Sequence, residues 1–209
     1  MVKKQVPSTI KNEALVEKRR QQMIRGAVQL FKEKGFHKTT TREIAKASGF
    51  SIGTLYEYIR TKEDVLFLVC DSIYESVKNR MEVSIDQHEK SVANLVHAVK
   101  AYFFLMNDMQ DEVLVMYQEV KSLSKDAQDY VLQKERDMVG MLEKVIQNSL
   151  PFLISPEVVT LIANNIFVQG QMWGFRRWIL QRTFTLETYT DRQIQLLLQG
   201  LNVKETELS

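Results

Sequence analysis

Residues 39–62 read TTTREIAKASGFSIGTLYEYIRTK, and this stretch leaves the chain little choice of local fold. Thr40-Thr41-Arg42-Glu43 has the form of a capping box. In that motif a hydroxyl takes an orphan helix N–H and the glutamate reaches back to the cap. Ile44 and Ala45 give the following helix a buried side. Gly49 stands where a left-handed turn residue is needed, and glycine adopts positive φ without a Cβ penalty. Ser51 caps a second helix carrying Gly53, Leu55, Tyr56 and Ile59. A helix that short is not stable alone and must pack on its neighbours. Two short helices joined by a tight glycine turn are therefore expected.

The rest of the chain follows helical spacing. Met23, Ala27, Leu30 and Phe31 share one face of a helix over residues 13–34, and Gly35 suits the position just past its end. Three prolines and eight glycines in 209 residues favour helix throughout, because both residues are costly there. A helix from residue 62 carries Leu66, Val69, Ile73 and Val77 on one stripe. A polar loop is expected over 82–90, then helices over 91–107, 110–122 and 125–149. Pro151 and Pro156 mark a break. Residues 156–181 are apolar nearly all round, through Ile166, Phe167, Trp173, Phe175 and Trp178. A helix apolar on several sides is buried on several sides, which calls for a partner as well as a core. Ile194, Leu197, Leu198 and Leu201 form a last stripe over 190–201. The fold class is all-α with about nine helices. It divides into a flexible arm (1–12), a head (13–61) and a body (62–209).

Charge is distributed unevenly. Residues 1–62 hold 14 Lys and Arg against 5 Asp and Glu, whereas the remainder is net acidic and the total is only +2. A basic segment on a near-neutral chain suits a polyanion partner. A single cysteine, Cys70, excludes an intramolecular disulfide, and with three scattered histidines no four-ligand zinc site is expected. No signal peptide is read, and no run approaches the ~18 apolar residues of a membrane span, so no membrane partner and a cytoplasmic location are expected. There is no nucleophile elbow, no glycine-rich phosphate loop and no metal-binding spacing, so no catalytic or metal residue is assigned and the chain is not read as an enzyme.

Two helices around a glycine turn form the helix-turn-helix unit, whose second helix enters the DNA major groove with its N-terminal residues leading. Candidate DNA contacts are Thr40, Thr41, Arg42, Ser51, Ile52, Gly53, Thr54 and Tyr56, with Tyr58 and Lys62 placed for phosphates. RNA suits the unit less, because the deep A-form major groove does not admit the helix. The string AVQLFKEKGFHKTTTREIAKASGFSIGTLYEYIRTKEDVL resembles the DNA-binding head of the TetR family of bacterial regulators, with Phe50, Ile59 and Tyr58 as small departures. The resemblance covers residues 13–65. It implies an all-helical repressor that binds a palindromic double-stranded operator as a homodimer. It also implies that an effector bound in the body moves the helix beginning at Lys62 and so releases the DNA.

What the body binds is read from weaker signals. Methionines and aromatics, among them Tyr102, Phe103, Met106, Tyr117, Met138 and Trp173, suit an adaptable apolar pocket, although the same residues also make ordinary core. Arg176 and Arg177, beside Trp173 and Trp178, can grip phosphates or line a dimer rim. A fatty acyl-coenzyme A would use both features, and it is the first effector reading, with no other cofactor. Efflux-system repressors responding to cationic lipophiles are the second; Glu119 is the one carboxylate suited to a cation. A helical interaction protein that binds no DNA is the third. Dimerisation is assigned to Phe167, Trp178, Ile194, Leu197, Leu198 and Leu201.

Overall fold

A computed structural model of the protein describes residues 6–84, 89–150 and 152–203. Among these residues there are ten α-helices, one turn of 3₁₀ helix and no strand. The helices are α1 (Glu13–Lys38), α2 (Thr41–Ala47), α3 (Ile52–Tyr56), α4 (Lys62–Ser84), α5 (Val92–Asp108), α6 (Gln110–Glu119), α7 (Lys125–Ser149), α8 (Pro156–Phe175), α9 (Arg177–Thr183) and α10 (Leu186–Gly200). The 3₁₀ turn is Val120–Ser122. The chain is all-α, as its spacing implies.

Several boundaries differ from those read in the sequence, among them the end of α1, which is Lys38 and not residue 34. The single helix expected over 156–181 is two. Arg176 leaves helical geometry at φ −112°, ψ 27°, and α9 starts at the next residue. Tertiary contacts mark this break. Gly174 lies against Gln110, and the Gln181 amide donates to Gln110 Oε1 at 3.0 Å and to the Trp173 carbonyl at 3.3 Å. The last helix begins at Leu186 rather than near residue 190, because Thr185 and Thr188 form a reciprocal cap ahead of it. Helix α4 runs on to Ser84, into the expected polar loop. Residues 85–88 of that loop, Pro151 and residues 1–5 of the arm lie outside the described residues.

The chain forms two compact units, Met1–Glu75 with Asp111–Lys134, and Ser76–Gln110 with Glu135–Ser209. In the first, α1 packs on α2 and α2 on α3 around Met23, Ala27, Ile44, Leu55 and Ile59. Gly35 interrupts α1 at φ +80°, ψ 161°, a region essentially reserved for glycine. One further turn then carries Phe36 into the core, edge-on to Phe31 at 5.5 Å. Residues 8 and 9 of the expected arm are tied to the end of α3: the Ser8 and Thr9 hydroxyls and the Thr9 N–H all donate to the Glu57 carbonyl.

Also in this unit, α4 and α7 are joined by the Tyr130 hydroxyl, which donates to Asp71 Oδ1 at 2.9 Å, and by the Lys134–Glu75 ion pair. A buried carboxylate requires such a donor. Cys70, beside Asp71, is fully buried, and burial pushes its thiol up to about 12, with the Asp71 charge adding to the effect.

In the second unit α5 packs against α8 and α10. Gly170 permits the approach of α8. A Cβ placed there would lie 2.5 Å from Tyr102 Cε1 and 3.2 Å from Met106 Cγ. Tyr102 stacks on Phe167 at 5.5 Å and donates its hydroxyl proton to the Phe167 carbonyl at 3.0 Å. Tyr189 of α10 packs on Phe103 and Trp173 at 5.8 and 5.2 Å, and its hydroxyl donates to the Gln169 carbonyl.

Candidate nucleic-acid interface

The two short helices are built by local chemistry. Thr40 accepts the Glu43 N–H, and the Glu43 carboxylate accepts the Thr40 N–H at 2.9 Å, which completes the capping box of α2. Hydrogen bonds from Lys34 and from Thr40 hold the Glu43 carboxyl down at about 2. Gly49 turns the chain at φ +75° with open space around it, and Ser51 accepts the Thr54 N–H at 3.0 Å to start α3. Leu55 anchors α3 in the core.

The leading end of α3 faces outward. Ser51, Ile52, Gly53 and Tyr56 are exposed, with Tyr56 at 47%. Tyr56 and Thr41 lie hydroxyl to hydroxyl at 3.2 Å, so the start of α2 and the end of α3 present one polar patch. Thr40 and Arg42 are exposed beside them. Thr54 is half-buried and contacts the Ser51 hydroxyl at 3.0 Å.

Two residues expected at phosphates are placed differently. The Tyr58 ring is buried at 3% exposure and stacks on Phe50 at 6.5 Å. The Lys62 ammonium donates to the carbonyls of Phe36 (2.9 Å), Thr39 (3.0 Å) and His37 (3.4 Å), and lies 4.2 Å from the centre of the Phe36 ring. An ammonium has three protons, and three backbone acceptors surround this one. Lys62 thus caps the carbonyl end of α1, where a cation is favoured. The sequence carries no sign of this, because the acceptors lie far upstream of it.

The residues proposed for effector binding are scattered. Phe103, Met106, Met138 and Trp173 are buried in side-chain core, and the Trp173 indole donates to Asn107 Oδ1 at 2.8 Å. Tyr117 is 60% exposed, and Arg176 and Arg177 are exposed at the α8–α9 break. Tyr102 lines a cavity. That cavity, of about 510 Å³, lies between the C-terminal part of α4 and α5, with Met81, Val83, Ala98, Phe104 and Leu105 as its apolar walls. Arg80 stands at its edge and meets Asp108 at 3.4 Å. Nothing in the sequence around Arg80 singles it out, since no second arginine or aromatic motif accompanies it.

Of the residues assigned to dimerisation, Phe167, Ile194 and Leu198 are buried within the chain and Trp178 is 57% exposed. Leu197 and Leu201 line a second cavity of about 320 Å³ across α8 and α10, together with Val158, Ile162, Ile166 and Leu196. Leu161, Val168 and Ile179 are exposed on the same two helices or on α9.

A capped helix-turn-helix whose second helix shows its first turn to solvent defines a DNA-binding regulator. Residues 23–69 match the model of the bacterial regulatory proteins of the tetR family. The helix-turn-helix domain is one of that family, and the chain is a transcriptional regulator, not an enzyme. It is 29% identical to the HTH-type transcriptional regulator HbdR of Aromatoleum sp. (strain CIB) over 93% of this chain and 85% of that one. It is 22% identical to the fatty acid metabolism regulator protein of Bacillus subtilis (strain 168), over 62% of this chain and 66% of the relative. The fold is also that of AibR, solved in complex with isovaleryl coenzyme A and operator DNA. The TM-score is 0.71 and the identity 20%, over 85% of this chain and 97% of AibR. No helix among the described residues is long and apolar enough to cross a membrane.

Proposed function

We propose that the chain is a repressor that binds a palindromic operator as a homodimer in the cytoplasm and is released by a fatty acyl-coenzyme A. Residues 13–61 read the DNA, through Thr40, Thr41, Arg42 and the exposed first turn of α3. Residues 62–209 bind the effector and dimerise. The observation that carries the effector reading is the apolar cavity beside α5, with Arg80 at its edge. Its volume falls in the ~300–1,000 Å³ range of small-molecule sites, which are mostly apolar with a few polar groups for orientation. Arg80 is exposed and meets Asp108, as Arg176 and Arg177 are exposed, but it is Arg80 that adjoins this cavity and can reach a coenzyme A phosphate there. The named relatives add support, because one regulates fatty acid metabolism and another holds an acyl-coenzyme A.

The cationic-lipophile alternative needs a carboxylate open to a ligand. Glu119 accepts the Phe36 N–H at 3.1 Å, and Asp71 is engaged by Tyr130. The dimer reading rests on the exposed apolar residues of α8, α9 and α10, since a patch of that kind marks an interaction surface. An effector releases DNA only by binding the released state better, so operator DNA must weaken effector binding by the same factor.

The test is fluorescence anisotropy of an operator selected by the protein from a random duplex library. Palmitoyl-coenzyme A is expected to displace the operator and free coenzyme A is not, with the effect reduced in Arg80→Ala. Displacement by a lipophilic quaternary amine, with no response to the thioester, would transfer the assignment to the efflux-type reading.

A further inference from the structure

The turn that delivers the chain from α1 into α2 is gripped from outside the helix-turn-helix at both ends of one residue. The Phe36 N–H donates to Glu119 Oε1, on the last residue of α6, at 3.1 Å, and the Phe36 carbonyl accepts from Lys62 of α4 at 2.9 Å. A carboxylate on the N–H side and an ammonium on the C=O side both favour this orientation of the peptide groups. We propose that Glu119 is a positioning residue for operator recognition, fixing the α1–α2 turn and through it the placement of α2 and α3.

Three observations support the assignment. Gly35, just ahead of Phe36, turns the chain at φ +80°, and a Cβ there would sit 3.5 Å from Glu119 Oε1. The same edge of the first unit is tied twice more: Lys32 to Asp111 at 2.6 Å, and His37 Nε2 to the Ser122 hydroxyl at 3.2 Å. The Phe36 side chain is buried at 2% exposure, so a shift of its backbone cannot be absorbed by solvent. From this turn the chain runs to Thr39 and the Thr40 cap of α2.

The inference rests on the DNA-binding reading of the head, and electrostatics makes its test a matter of sign. Glu119 is an anion on a protein that binds a polyanion, so a residue acting only through its charge would tighten DNA binding when removed. A positioning residue would weaken it. Glu119→Ala and Glu119→Gln lose the same charge, but glutamine keeps an acceptor oxygen for the Phe36 N–H. Affinity for an operator selected by the wild-type protein is measured against salt concentration, alongside dimer mass and thermal midpoint. Glu119→Ala is expected to bind about tenfold more weakly, the scale of one charge-assisted hydrogen bond. Its salt slope should be unchanged, and Glu119→Gln should recover most of the loss. Glu119→Ala at or above wild-type affinity overturns the proposal, as does equal loss in both variants. If the wild-type protein selects no duplex, the DNA-binding reading itself falls and the proposal with it.

Discussion

Replacing Lys62 by methionine separates two roles a lysine at this position can have. The side chain stays long enough to cover the Phe36 ring, but the ammonium is lost. The structure gives that ammonium two good carbonyl acceptors, at 2.9 and 3.0 Å, and a longer one at 3.4 Å. A hydrogen bond involving a charged group contributes about 1.5–3 kcal/mol. Lys62 is half-buried and its proton donors share one geometry. Screening therefore reduces the sum, and a loss of about 2 kcal/mol is expected. For a chain of this size 1 kcal/mol moves the melting temperature by about 2–4 °C, so Lys62→Met should melt roughly 4–8 °C lower. A lysine that instead neutralised a phosphate would leave the melting temperature alone and lower the slope of log K against log salt by about 0.9. Calorimetry and operator titrations at several salt concentrations distinguish the two. An unchanged melting temperature with a slope reduced by about one contact would refute the capping role.

Two further perturbations address the rest of the molecule. Gly170→Ala forces a Cβ to 2.5 Å from the Tyr102 ring, and overpacking of that kind costs about 1–3 kcal/mol. The loss should shrink in a Tyr102→Leu background, and equal losses in both backgrounds by thermal melting would show that the helices approach differently. Glu43 gives an acid-dependent cap. Its folded pKa, about 2, lies below the ordinary 4.5, so between these values the unfolded chain binds more protons and stability rises with pH. The contribution is complete above pH 4.5 and is lost as pH falls through about 2. The stability difference between wild type and Glu43→Gln, measured by urea midpoint, should narrow across that window, and a difference independent of pH would contradict the assignment.

Most of the helix-turn-helix was legible because its signals are local. Thr40, Gly49 and Ser51 act within four residues of themselves, and the structure shows the same caps and turn. The parts that differ depend on residues distant in sequence. Arg176 breaks a helix without glycine or proline at the break itself, because Gln110 and Gln181 hold its neighbours. Lys62 has the charge of a phosphate ligand, but its carbonyl partners lie far upstream, at the end of α1. Phe103 and Trp173 have the composition of an effector pocket, yet they pack on Tyr189. Composition does not distinguish aromatic residues that line a cavity from those that fill one another's space.

The burial of Cys70 gives the protein a built-in reporter. Thiolate is the reactive form, and a thiol held at about 12 in a fully buried site on α4 offers almost none of it to an alkylating agent. Modification must then wait for α4 to open. Its rate, compared with that of a model thiol, measures how often the helix beginning at Lys62 separates from its packing. The one cysteine of the sequence thus permits α4 to be followed, with and without DNA or effector, without introducing any label of its own.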